Sequence, residues 1–365
     1  MKWKMSTTRD KKPNVVTQPI KRACLYYGYP SSFSGTWNND DCAELFSQYD
    51  LVVWGDFYQH PHHEDYANAK EISRKMLQKN KKLEFFGYVP IGLDSSVADS
   101  NLSLTEIKKR IDEWEELGVT GIFLDEFGFD YFVTRERQNE IVKYCHQKGL
   151  TIIANSWRID YVFSKSNIYL DWIDFNGNQN NLEPLLNSND YILFENAWYY
   201  IHEDGTQAVS HKDPWSDQTR MWEAYRYYHE QHSDYNGRTY YEQFQTKTFA
   251  LDALKSTEKK EIRNKCYKQG LLASIMFNMD AYCASTENWA ANGKYIRYES
   301  RIFSQLAIGE KHVVKPQKLN GATFFNKFTA KIGSDTLELI WDQDHDVPHN
   351  PEQGMHQIRW NKTIF

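Results

Sequence analysis

Cysteine is scarce in this sequence: five residues in 365, at positions 24, 42, 145, 266 and 283. An odd number of widely scattered thiols argues against a disulfide framework and for free thiols in a reducing compartment. Long apolar runs are missing as well, none approaching the ~20 residues a membrane-spanning helix needs. The stretch from Met1 to Pro19 is basic and polar with no apolar centre, so it does not read as a secretory signal. The chain is therefore expected in the cytoplasm, or outside the cell if an export signal has been trimmed away. An excess of positive charge is also absent, with 43 Lys and Arg against 49 Asp and Glu and a net charge of −6. That excludes the electrostatic footprint of a nucleic-acid binder. Nor is there a glycine-rich phosphate turn after the first apolar run, which ends in Tyr27-Gly28-Tyr29-Pro30. Without it the doubly wound dinucleotide fold loses its signature.

What the chain has in quantity is aromatic side chains, 15% of residues, among them 12 Trp and 24 Tyr. Such rings serve as sugar-stacking platforms and fill large cores alike, so composition does not choose between the two. The hydrophobic share of 41% and the charged share of 25% are those of an ordinary soluble globular protein.

Short apolar runs recur along the chain and end in polar or turn residues. They are Ala23–Tyr27, Leu51–Trp54, Leu83–Val89, Ile122–Leu124, Thr151–Ala154, Tyr191–Phe194, Thr248–Leu251 and Leu271–Phe277. Helical spacing lies between them. Tyr66, Ala69, Ile72 and Leu77 share one face. Ser103 and Glu106 have capping-box spacing before Ile107, Ile111, Trp114 and Leu117, and Gly118 closes that helix. Thr134 to Lys148 and residues 257–269 read as helices too. Strands alternating with helices imply βαβ units. Eight units over about 250 residues imply a (β/α)₈ TIM barrel. The expected layout is a disordered lead-in over 1–20, the barrel over 21–311 and a β-rich appendage over 312–365. In the appendage, Ala322–Phe328 and Thr336–Trp341 flank Gly333-Ser334-Asp335 as a hairpin does. A long insertion after the sixth strand, Trp198–Tyr241, holds a helical stretch at Asp217–His232 and is expected to overhang the barrel mouth.

The residues that follow the strands converge on one mouth in a barrel. They are Tyr27, Asp56, Tyr88, Asp125, Glu126, Asn155, Glu195, Asn196, Asp252, Asn278 and Asp280. Carboxylates dominate. Two of them are the minimum equipment for glycosidic cleavage, one protonating the leaving oxygen and the other attacking, stabilising or activating water. Asp125, Glu126 and Glu195 are the catalytic candidates. Asp125 and Glu126 are adjacent, so strand alternation allows one of them to face away. The substrate-binding candidates are the other eight of these residues together with Trp157 and Trp198, although core packing is an equal use for any one ring. No metal or other cofactor is called for. Gln59-His60-Pro61-His62-His63-Glu64-Asp65 lacks zinc spacing, and Asp342–Asp346 lacks the glycine and terminal glutamate of a calcium loop.

Gly121-Ile-Phe-Leu-Asp125-Glu126, the strand leading into Asn155, and Phe194-Glu195 resemble the spherulin-4-like and endo-α-1,4-polygalactosaminidase-like glycoside hydrolases, families 135 and 114. The resemblance spans residues 22–283. It implies a (β/α)₈ enzyme that cuts within an amino-sugar polymer. By position, Asp125 matches the strand-four aspartate, Glu195 the later strand-end glutamate, and Glu126 the second acid of the spherulin-type pair. Glu195 is then the proton donor and Asp125 the nucleophile or charge stabiliser, with the reverse assignment also open. The expected partner is an oligo- or polysaccharide, with no nucleic acid and no membrane. Two rival readings use the same residues: a silent carbohydrate-binding barrel, and a metal-dependent hydrolase or lyase.

Overall fold

The computed structural model describes residues 20–55, 57–94, 101–171, 174–201, 207–209, 220–254, 260–285, 311–317, 327–332, 335–341, 356–360 and 363–364. The expected lead-in lies outside them except for Ile20. Eight parallel strands close into a TIM barrel: β1 (Lys21–Tyr26), β2 (Leu51–Trp54), β3 (Glu84–Pro90), β4 (Gly121–Asp125), β5 (Thr151–Asn155), β6 (Tyr191–Glu195), β7 (Lys247–Ala253) and β8 (Ala281–Ser285). Each strand pairs with the next, and β8 returns to β1. The helices are α1 (Asn39–Ser47), α2 (Tyr66–Lys79), α3 (Leu104–Glu116), α4 (Arg135–Gln147), α5 (Ile159–Phe163), α6 (Arg220–His229), α7 (Tyr240–Phe244) and α8 (Lys260–Met276). None of the described helices is long and apolar enough to cross a membrane.

Local chemistry sets the helix starts. The Asn38 side chain accepts from the N–H groups of Asp40 and Asp41 at the head of α1, Ser103 from Glu106 at α3, and Thr134 from Arg137 at α4. These bonds satisfy donors that a helix N-terminus otherwise leaves open. Gly118 takes φ +84° beyond the end of α3, a conformation that suits glycine.

Side chains in a strand alternate between faces, and β3 shows what this does to the bore. Glu84, Phe86 and Tyr88 point inward at three successive depths. At the floor, Glu84 pairs with Lys21 of β1 and accepts from the Tyr191 hydroxyl of β6 at 2.6 Å. These strands are not neighbours, so the contacts cross the barrel. One layer up, Phe86 meets the Tyr191 ring at 6.1 Å. Tyr88 stacks on Phe123 at 5.6 Å and reaches the mouth. The same alternation carries Phe123 and Asp125 inward on β4, and Tyr191 and Glu195 on β6.

Gly87 faces out between these residues, and its hydrogen lies against the indole of Trp114 on α3, where a β-carbon would overlap the ring. Trp114 is fully buried and donates from Nε1 to the Tyr88 carbonyl at 2.9 Å. Gly87→Ala is expected to destabilise the fold by about 1–3 kcal/mol, the usual cost of overpacking. A lowered urea midpoint checks it; an unchanged midpoint counts against this packing.

The structure corrects the eighth strand. Leu271–Phe277 is not a strand but the buried final turns of α8 and the residue after them. From Gly270 to Met276 every residue of that helix is buried. A helix covered on all sides loses its polar face, and its apolar run cannot then be told from a buried strand. The cover is partly the tail: Phe277 and Phe328 rings lie 5.3 Å apart, and His312 Nε2 is 2.7 Å from the Met276 carbonyl. The true eighth strand, Ala281-Tyr-Cys-Ala-Ser285, is short and poor in branched residues.

The stretch Asp217–His232, expected to overhang the mouth, does not do so in its described part; Asp217–Thr219 lie outside the described residues. From Arg220 it is α6, packed beside the barrel, with Glu223 accepting from Ile159 near the mouth end and the Tyr228 hydroxyl donating to the Asn278 carbonyl at the floor. Among the described residues that follow β6, Tyr199–Ile201 pairs antiparallel with Gln207–Val209.

The tail forms a five-stranded antiparallel sheet of β9 (Val314–Gln317), β10 (Lys327–Ile332), β11 (Asp335–Trp341), β12 (His356–Trp360) and β13 (Thr363–Ile364). The expected hairpin is β10 with β11; Ala322–Asn326, Gly333 and Ser334 lie outside the described residues. Val314, Phe328, Leu337 and Leu339 join the same apolar cluster as the barrel. All five cysteines are buried free thiols.

Candidate active site

Asp125, Asn155 and Glu195 are the last residues of β4, β5 and β6, three adjacent staves. Asn155 stands between the acids. Its Nδ2 donates to Asp125 Oδ1 at 2.8 Å and to Glu195 Oε2 at 2.7 Å. Two oxygens held by one nitrogen can be no farther apart than those lengths laid end to end, 5.5 Å. The Tyr88 hydroxyl donates to Asp125 Oδ2 at 2.8 Å, and the Glu126 N–H to Oδ1 at 2.9 Å. Tyr27 closes the β1 side, its ring 5.5 Å from that of Tyr88.

Burial raises the Asp125 carboxyl above its ordinary range, opposed by the donors Tyr88, Asn155 and the Glu126 N–H. Burial also pushes the Tyr27 phenol well up, and Asp125 and Glu195 add to it. Tyr131 is raised by burial and then by Asp130, Asp125, Glu195 and Glu126, which places one phenol in the field of four carboxylates. Tyr131 was not legible as a mouth residue, because it ends a one-turn helix (Phe129–Tyr131) beyond any strand.

Each acid is followed by a residue in the left-handed region, Glu126 at φ +55° and Asn196 at φ +53°. The chain turns out of the barrel at those points. Asparagine tolerates this conformation; for glutamate it is a strain on the order of 1–3 kcal/mol. Glu126 is 7% exposed. Its carboxylate packs on Gly92, where a β-carbon would overlap it. Its side chain thus lies against the β3–α3 connection, while its N–H donates to Asp125.

Four of the sequence candidates are elsewhere. Asn278 and Asp280 precede β8 and lie at the floor, because α8 extends through the run read as a strand. Asn278 donates to the His312 carbonyl and accepts from the His312 N–H, while Asp280 accepts from Thr248 and pairs with Lys311. Trp198 is buried, with Nε1 donating to Ser274 of α8 at 2.6 Å. Asp252 is fully buried behind β7, accepting from the N–H groups of Trp198 and Tyr199 and from the Tyr282 hydroxyl. It is a buttress of the wall. Trp157, half-buried, follows Asn155 in the β5–α5 connection. Asp56 lies outside the described residues, as do Asp342–Asp346. Among the described residues no group of three His, Cys, Asp or Glu is placed to hold a metal ion. His60 of the histidine-rich stretch pairs with Glu113 at 2.8 Å.

Neither a protein-family model nor a curated protein matches the chain. Among solved structures, the glycoside hydrolase domain of PelA from Pseudomonas aeruginosa is similar at 16% identity and TM-score 0.41, over 75% of this chain and 97% of that one. N-acetylneuraminate lyase from Fusobacterium nucleatum is similar at 12% identity and TM-score 0.31, over 76% and 72%. CdNal from Clostridium difficile, in complex with mannosamine, is similar at 11% identity and TM-score 0.33, over 79% and 78%. Likeness at this level carries no argument about activity. The barrel stands on its own strand pairing.

Proposed function

We propose that this chain is a retaining glycoside hydrolase that cuts within a polysaccharide. The observation that carries the reading is the single Asn155 nitrogen bonded to both Asp125 and Glu195. Retaining enzymes place their two carboxyl groups about 5–5.5 Å apart, and inverting enzymes about 6.5–9.5 Å apart to admit a water. A separation of at most 5.5 Å between the two bridged oxygens supports the closer class.

The donors to Asp125 and the family resemblance together support one assignment of roles. Asp125 receives three hydrogen bonds, and the Glu126 N–H can only donate. Donors of this kind favour a carboxylate over its acid. With these donors opposing the effect of burial on Asp125, and with Asp125 at the strand-four position of the family resemblance, we assign Asp125 as the nucleophile and Glu195 as the proton donor. In the first step Asp125 forms a bond to the anomeric carbon while Glu195 gives its proton to the departing glycosidic oxygen. In the second, Glu195 takes a proton from water, the oxygen of which displaces Asp125 and restores the original configuration. Tyr27 and Tyr88 offer rings and hydroxyls to the sugar. The acid-rich surroundings of Tyr131 suit a cationic amino sugar, the substrate class implied by the spherulin-4-like and polygalactosaminidase-like resemblance.

The test is reducing-end release from a panel of galactosamine-containing, glucosamine-containing and neutral polysaccharides, followed by proton NMR of the first product. Release with the anomeric configuration kept is expected. An inverted first product overturns the double displacement, and binding without release on every glycan supports the silent binding barrel instead.

A further inference from the structure

The β1 and β2 side of the mouth carries rings that the acid pair does not use. Tyr27 is the innermost. Beyond it, the connection after β2 supplies Tyr58 and His63, whose rings meet edge to face at 5.0 Å, and Tyr29 from the connection after β1 meets His63 at 5.7 Å. Tyr58 is buried, its hydroxyl donating to the Gly28 carbonyl at 2.6 Å, so it anchors the row. Tyr29 and His63 are half-exposed. His63 Nδ1 accepts the Asp65 N–H at 3.1 Å, which leaves the proton of the neutral ring on Nε2 as a donor for a hydroxyl.

The same β1–α1 connection ends at Trp37. This indole is 69% exposed and its backbone sits at φ +52°. A bulky residue in the left-handed region is strained by about 1–3 kcal/mol, and an exposed ring recovers nothing from burial. The segment is nonetheless held on both sides. Thr36 is bonded to the Phe33 carbonyl and to Cys42, and Asn38 caps α1. Trp37 is thus a large exposed ring on a held backbone, in the connection that leaves β1 at its carboxyl end, where the acids of β4 and β6 also lie.

We propose that Tyr29, His63 and Trp37 form a glycan track on which further sugars of the same polymer lie, with the Trp37 indole as the outermost stacking platform. The proposal rests on the hydrolase reading above and adds where the chain runs. Sugars present apolar faces of C–H groups, and indole is the broadest flat partner a protein has for them.

The experiment compares the full-length wild type with Trp37→Ala and Trp37→Phe, on the polymer found to be cleaved and on its two- or three-sugar fragments. Trp37→Ala is expected to raise KM for the polymer about tenfold, the effect of losing roughly one stacking contact, with kcat held. KM for the fragments should move less than twofold, and Trp37→Phe should recover most of the loss. In a Glu195→Gln background, retention on immobilised polymer should fall in step. Equal polymer KM for wild type and Trp37→Ala overturns the track and leaves the hydrolase reading standing. A wild type that neither cleaves nor binds any glycan sinks both. Loss of a dimer in light scattering with unchanged KM means that Trp37 serves self-association, which also overturns the track.

Discussion

Asp125→Asn is expected to abolish glycan cleavage, by at least about 10⁴-fold, while the protein stays folded. The fold survives because asparagine is nearly isosteric. Its carbonyl can still accept from Asn155 and from the Glu126 N–H, and the Tyr88 hydroxyl can turn to accept from the new amide. Activity does not survive, because an amide cannot form the glycosyl-enzyme ester. Glu195→Gln should behave differently. Loss of a positioned general acid costs about 10²–10⁴-fold where the leaving oxygen needs a proton. On an aryl glycoside with a good leaving group, that first step should be nearly spared. Azide should then rescue Glu195→Gln on the aryl substrate, since it needs no base to attack the intermediate. The reverse pattern, in which Asp125→Asn keeps the aryl substrate and Glu195→Gln loses it, would exchange the two roles. Full activity in either variant removes that residue from the mechanism.

The second large effect is on stability. Asp252 is buried behind the wall, and burial raises its carboxyl to about 7 despite the Trp198 and Tyr199 N–H groups and the Tyr282 hydroxyl. In the unfolded chain an aspartate titrates near about 3.9. The folded state therefore holds this proton more tightly. The corresponding stability is fully present below about pH 4 and is lost as pH rises through about 7. Three units correspond to on the order of 4 kcal/mol. Comparing urea midpoints of wild type and Asp252→Asn from pH 4 to 8 isolates the effect. The wild type should weaken against the variant across that range and run parallel above it. Parallel curves throughout would show that Asp252 keeps an ordinary carboxyl.

The mouth was legible in the sequence because β4, β5 and β6 are uninterrupted apolar runs that stop at a polar residue. On such a stave the last side chain faces inward when the apolar residue two before it does, as Phe123 does for Asp125. The same rule leaves Glu126 outside the alternation, and it packs on Gly92 instead. The floor was not legible. Leu271–Phe277 is apolar because α8 is covered from both sides, and one face of that cover is a sheet built from residues 314–364. A local pattern carries no sign of a neighbour some forty or more positions away. Trp198 and Asp252 failed for a related reason. Both stand beside the mouth in sequence, yet they turn toward α8, where Ser274 and the bare backbone of Gly270 leave room for them.

The knot of Lys21, Glu84 and Tyr191 has a mechanical consequence. With these three side chains filling the floor, the described part of the barrel bore is not a through-channel. On the proposed hydrolase reading, a long glycan would lie across the mouth like a rope across a cleat, and both cut ends would leave on the side they entered.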